Sequence, residues 1–298
     1  MDIGKLQLLQ ILDIKRTRIK ELPSSIVQIR KLICLYVDRR VMLPKGMGNL
    51  AYLEMLKRVD LFSSPHIVKE LGHLTEVRKL ILYCDNKDVD LINMDILIES
   101  LGNLQKLQSL WINFGGRLND CMRVSWVPPP HLHTFKSWSF KEGSFFRLPK
   151  WINSTSLPRI STLEIFVKEL QRDDLQIIGM LPALQSLYLR ATRVMGTLVV
   201  RANAFRYARC CKFFGFLTSP CLFPPGAMPR VQHLEFRVSA QSIASGEVDC
   251  SMEHLPSLEH AVVFLQRDNS SNDEKETTRA CLKRAAEAHP KRPIMKIY

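Results

Sequence analysis

One periodicity constrains this chain more than any other feature: aliphatic residues spaced as L-x-x-L-x-x-L-x-L return from one end of the sequence to the other. The first instance runs through Leu6, Leu9, Leu12 and Ile14 and continues through Thr17, Ile19, Leu22 and Pro23. Its last two apolar positions recur as Leu35/Val37, Leu80/Leu82, Leu110/Ile112, Leu163/Ile165, Leu187/Leu189, Cys211/Phe213, Leu234/Phe236 and Ala261/Val263, with weaker matches at Leu56/Arg58 and Phe135/Ser137. Eleven units separated by ten intervals of about 25 residues fall inside the 20–29 window of leucine-rich repeats. Two accessory signatures repeat with them. Leu-Pro-x-x-(Ile/Met) stands at residues 22–26, 43–47 and 148–152, and (Leu/Met)-Pro precedes a strand leucine in LPRISTL, LPALQSL, MPRVQHL and LPSLEHA. Proline suits the bend entering a strand because it fixes φ and donates no ladder hydrogen bond.

A single unit of this size cannot bury enough apolar surface to offset the entropy of ordering it. Neighbouring units must supply the remaining burial and the strand-to-strand hydrogen bonds. The expected fold is therefore an α/β leucine-rich-repeat solenoid: a curved horseshoe with short parallel strands on its concave face and an irregular or helical convex side. Repeats are expected over 1–267 and a C-terminal linker, capping helix and strand over 268–298, with the helix from Thr277 to His289 and the strand from Pro293 to Ile297. Leu6, Leu8 and Leu9 open a repeat with nothing ahead to cover them, so the parent chain is expected to continue before Met1. Four connections, Gly115 to Pro130, Thr192 to Ala204, Gly215 to Pro229 and Ser239 to Cys250, are longer than the repeat requires. Long loops on a rigid scaffold usually carry recognition, and drift on the convex side is the competing reading.

Composition narrows the functional classes. Eight scattered cysteines without a CxxC do not form the framework of a disulfide-stapled secreted domain, and a reducing compartment fits them better. No apolar run approaches membrane-spanning length and no signal-peptide core follows Met1. A cytoplasmic location is expected, extending to the nucleus or to a membrane periphery. The sequons at Asn153 and Asn269 read as chance triplets. There is no GxxxxGK[ST] to cradle phosphate, no GxSxG serine, and no cysteine and histidine spaced as nucleophile and base. Cys121, His131 and His133, and the looser pair His254 and His260, lack zinc-ligand spacing. Neither an enzyme, a cofactor nor a metal is expected.

Side chains alternate along a strand, so the residues flanking each inward pair define the expected recognition surface. One column reads Asp13, Tyr36, Lys57, Ile81, Trp111, Lys136, Glu164, Tyr188, Lys212, Glu235 and Val262; the next reads Lys15, Asp38, Val59, Tyr83, Asn113, Trp138, Phe166, Arg190, Phe214, Arg237 and Phe264. Tyr36, Tyr83, Trp111, Lys136, Trp138, Glu164, Phe166, Tyr188, Arg190, Lys212 and Arg237 are the expected protein-binding residues, since aromatic and arginine side chains dominate interface energy once desolvated. Packing of these rings on one another is the alternative. The formal charge is +13, yet these columns and their neighbours carry only about +4 of it. A nucleic-acid groove would concentrate that charge along one track, so no nucleic-acid partner is expected.

The segments LPSSI and IRKLICLYV, LGNLQKLQSLWI, LPALQSLYL, FPPGAMPRVQHLEF, HLPSLEHAVVFL and the closing AAEAHPKRP together resemble one family: the leucine-rich-repeat half of coiled-coil-class plant NLR (NBS-LRR) disease resistance proteins, particularly those of grasses. The resemblance covers essentially the whole chain. It implies a part in innate immunity, with the repeats recognising a pathogen effector or a guarded host protein and folding back on a nucleotide-binding domain to hold it inactive. The coiled coil and the nucleotide-binding region are absent from this sequence, so switching and oligomerisation do not carry over to it. A general repeat scaffold, a ubiquitin-ligase substrate adaptor and a truncated receptor fragment remain as alternatives.

Overall fold

The computed structural model describes residues 2–84, 93–114, 120–139, 145–266 and 270–298. Residues 115–119 of the first long connection, and Arg267 to Asn269 with the second sequon's asparagine, lie outside them, as does the Cys121 side chain. The chain divides into two compact units, Met1–Trp151 and Ile152–Tyr298.

In the first unit, β1 (Ile11–Asp13), β2 (Cys34–Tyr36), β3 (Met55–Asp60), β4 (Lys79–Cys84), β5 (Ser109–Phe114) and β6 (Thr134–Ser139) pair side by side in chain order, and every pairing is parallel. Their register follows the sequence period: Leu12, Leu35, Leu56, Leu80, Leu110 and Phe135 lie opposite one another in turn. From Leu35 onward these five positions are fully buried. Short helices, α1 (Ile67–Glu70), α2 (Met94–Asn103) and α3 (Asp120–Ser125), return the chain across the core. The Asn93 side chain caps α2 by accepting from the backbone amides of Asp95 and Ile96.

The second unit repeats the plan with β7 (Thr162–Leu170), β8 (Ser186–Val194), β9 (Cys210–Phe214), β10 (His233–Val238), β11 (His260–Leu265) and β12 (Ile294–Ile297). Leu163, Leu187, Cys211, Leu234, Ala261 and Met295 face one another in register. Its helices are α4 (Asp174–Gly179), α5 (Ala240–Ala244) and α6 (Asn272–Ala288). These parallel sheets, buried along periodic aliphatic positions, are the leucine-rich-repeat solenoid architecture.

Two backbone devices recur at nearly every step. The carbonyl just ahead of a strand accepts two successive amides from the next repeat: Arg78 O takes those of Gln108 and Ser109 at 2.8 and 2.9 Å, and Gln185 O those of Arg209 and Cys210 at 2.8 and 3.0 Å. Before that carbonyl the chain makes an i→i+3 turn, as in Leu255 O accepting from Leu258 N at 3.0 Å. Pro182, Pro229 and Pro256 occupy the second position of such turns, where their fixed φ is already correct. Leu50 to Leu53 and Leu74 to Val77 close the same turn without proline at 3.0 Å.

Sequence and structure part at three places. Arg58 does not take the inward position of β3; it adopts a left-handed φ of 70°, the register slips, and Val59 is buried in its place opposite Leu82. Asp60, not Val59, then stands opposite Tyr83 on the outer face. The capping helix starts at Asn272 rather than Thr277, because Ser271 and Glu274 form a reciprocal capping box and Asp273 and Glu274 sit in the first turn, where the helix dipole favours acid. Cys250 and Cys281 form a disulfide that ties the end of the connection after α5 to α6, a pairing that the scatter of cysteines did not mark. Thr278 adds a hydrogen bond from its hydroxyl to Ala240 O at 2.9 Å.

Candidate protein-binding face

On each sheet the inward side chains fill the core, and the alternate ones stand on the open face. In the first unit strand register sets Asp13, Tyr36, Lys57, Ile81, Trp111 and Lys136 side by side in one column. Tyr36 lies between two cations, with the Lys15 and Lys57 ammonium groups 4.9 and 4.8 Å from its ring centre. Burial, with Cys34 beside it, pushes the Tyr36 phenol above its ordinary pKa. Lys15 also pairs with Asp13 at 3.1 Å, while its backbone amide holds the Asp13 carboxyl below the usual range. Trp111 and Trp138 are half-buried, and Lys136 Nζ sits 6.0 Å from the Trp111 ring. The Trp111 indole N–H has no hydrogen-bond partner among the described residues.

Tyr83 does not belong on the exposed surface: it is 6% exposed, beneath the Arg39 guanidinium at 3.9 Å. Phe166 in the second unit is likewise only 7% exposed, under Arg190 at 4.6 Å. Asn113, placed in the exposed column by alternation, is buried at 5%. For the two rings a long arginine lies across the face, Arg190 from the adjacent strand and Arg39 from the turn after β2, so alternation predicts the face but not its covering.

The second unit brings more rings into the open. Tyr188 stacks on Phe214 with centres 4.7 Å apart, Phe214 meets Phe264 at 5.9 Å, and Phe264 stacks on Tyr298 at 5.6 Å. Phe214 and Phe264 are half-exposed and Tyr298 is exposed at 63%. Burial is the main reason the Tyr188 phenol titrates above its ordinary value. Beside this ladder Lys212 donates to Glu235 at 2.5 Å, and that bond raises the lysine pKa. Arg190 is exposed, while Glu164 and Arg237 are half-buried. Tyr298 escaped the sequence reading because it follows the last strand and belongs to no repeat position; Phe214 and Phe264 were in the columns, but nothing in the sequence marked their stacking.

No helix among the described residues is long and apolar enough to cross a membrane. The family described as a leucine-rich repeat region matches residues 1–295. Two disease resistance proteins of rice, Oryza sativa subsp. japonica, are similar in sequence: Pik-2 at 27% identity over 79% of this chain and 28% of its own length, and RGA5 at 28% identity over 97% of this chain and 26% of its own length. The chain thus spans about a quarter of the length of the curated relatives it matches. Among solved structures, the functional domain of InlJ from Listeria monocytogenes aligns with 94% of this chain and 64% of its own at a TM-score of 0.45 and 11% identity. TLR13, from its complex with ssRNA13, aligns with 93% and 38% at a TM-score of 0.44 and 16% identity.

Proposed function

Because the chain belongs to the leucine-rich repeat region family, we propose that it is a non-catalytic recognition module of plant innate immunity, acting in the cytoplasm and holding a pathogen effector or a guarded host protein on its open strand faces. In a longer receptor the same repeats would rest on a nucleotide-binding domain and restrain it. The observation that carries the reading is the half-exposed aromatic ladder Tyr188, Phe214, Phe264 and Tyr298, set beside the charged side chains of Arg190, Lys212 and Arg237. Such rings contribute most when a protein partner desolvates them and a polar rim fixes the register. The sequence similarity to rice disease resistance proteins supports the biological setting.

Biolayer interferometry of the full chain against secreted effectors of cereal pathogens, and against nucleotide-binding domains of grass receptors of this class, tests the proposal. A saturable partner is expected, and Trp111→Ala with Tyr188→Ala should weaken it by more than ~2 kcal/mol. Unchanged affinity in that double variant would remove the strand faces as the binding surface, and the absence of a partner in both panels would remove the function.

A further inference from the structure

Three of the four long connections converge in the second unit. The segments after β8, β9 and β10 line an open cavity of about 430 Å³, whose apolar side is formed by Val194, Leu198, Phe216, Leu222, Val238 and Val248. That volume lies in the range of small-molecule sites, ~300–1,000 Å³, which join an apolar lining to a few placed polar groups. The walls are fixed. Gly215 leaves β9 at φ 85°, and a Cβ there would meet Ala191 O at 2.1 Å, so the turn that brings Phe216 inward admits only glycine. Thr218 N donates to Arg237 O at 2.7 Å, Met195 N to Leu170 O at 2.8 Å, and the Cys250–Cys281 disulfide anchors the segment carrying Val248.

Two polar groups in this wall are unspent. The Thr218 hydroxyl is buried with no hydrogen-bond partner among the described residues, the kind of orphan that a native structure rarely keeps without a reason. Arg237 lines the cavity half-buried, and no ion pair or side-chain hydrogen bond is formed by its guanidinium among the described residues. It is shared with a neighbouring cleft lined by Phe264, Tyr298, Lys275 and Arg279, the last of which pairs with Glu276. Leu217 stands 46% exposed at the rim.

We infer that this cavity is a binding site for a small amphipathic organic acid, with its apolar body among Leu198, Phe216, Leu222 and Val248 and its carboxylate on Arg237. Such a ligand supplies what each wall lacks: apolar contact in the interior, an anion for the guanidinium and an acceptor for the Thr218 hydroxyl. The cavity lies beside the aromatic ladder and shares Arg237 with the cleft that Phe264 and Tyr298 line, and occupancy would stiffen the three connections, making it a second input to a chain otherwise read as a protein binder.

The probes are decanoate, its neutral counterpart decanol and the cationic decyltrimethylammonium, each below its micelle concentration, titrated into the full chain by calorimetry. Decanoate should bind saturably at one site, decanol more weakly, and the cation not measurably. Arg237→Met, which keeps the apolar stem, should weaken decanoate at least tenfold and leave decanol unchanged. Ser242→Trp, filling the cavity from α5, should abolish both, with Val194→Trp as the second filling variant should the first not fold by circular dichroism. Absence of saturable decanoate binding would overturn the inference. So would a folded filling variant that binds normally, or equal decanoate affinity in Arg237→Met.

Discussion

Single residues decide where a periodic pattern holds and where it bends. Leu35, Leu80, Leu110, Leu163 and Leu187 were legible because an inward aliphatic recurring every 25 residues or so has only one place to go, and all are fully buried. Arg58 was not, since a bulge inserts one residue and period-two counting assumes that none is inserted. Tyr83 and Phe166 were read as exposed because a sequence does not say which arginine will lie over which ring. Thr218 yields a prediction at this scale. Its buried hydroxyl lacks a partner, so Thr218→Val replaces it with a methyl of the same shape and should stabilise the chain by about 1 kcal/mol, read as a higher melting temperature. The same change should weaken decanoate, separating a group kept for a ligand from one kept for the fold; a lower melting temperature would show that the hydroxyl is satisfied after all.

At the level of elements, the turn and the shared carbonyl explain why so loose a consensus gives so regular a structure. Each step needs only a buried apolar side chain, an i→i+3 turn and one carbonyl facing two amides. Proline helps the turn but Leu50 to Leu53 forms it without, which is why the proline signature marks some repeats and not others. The capping helix was legible in its apolar second half, whereas its acidic start looked like linker until the capping box explained it. The disulfide was illegible, because its cysteines lie 31 residues apart and only α5 packing on α6 brings them together. Cross-linking across that separation constrains the unfolded chain by about 3–4 kcal/mol. Reduction, or Cys250→Ser with Cys281→Ser, is therefore expected to lower the denaturant midpoint of the second unit, followed by tyrosine fluorescence and circular dichroism. Buried Leu282 and Ala286 should keep α6 docked. An unchanged midpoint between oxidised and reduced protein would mean that the pair contributes nothing to the fold.

For the whole molecule the question is where a formal charge of +13 resides. On the first sheet, Lys15, Arg39, Lys57, Lys79 and Lys136 exceed Asp13, Asp38 and Asp60 by two; on the second, Arg190, Lys212, Arg237 and Lys296 exceed Glu164 and Glu235 by two. Most of the excess stands off the open faces, which the sequence already indicated because strand alternation places each charge. Its consequence is measurable. A groove making six to ten phosphate contacts loses roughly 10³–10⁵ in affinity between 50 and 200 mM salt, while the two uncompensated charges of either sheet cost only about tenfold over the same range. The Lys212–Glu235 pair belongs to the insensitive part: the hydrogen bond to Glu235 raises the lysine pKa, so the ammonium stays charged through neutral and mildly alkaline pH and the pair is lost on the basic side only as pH climbs through the raised value. Affinity for the protein partner should therefore fall by no more than about tenfold between 50 and 200 mM sodium chloride and stay level from pH 6 to 9. A loss of a thousandfold would place the recognition surface on the basic flanks instead of the aromatic ladder, and would return nucleic acid to consideration as the partner.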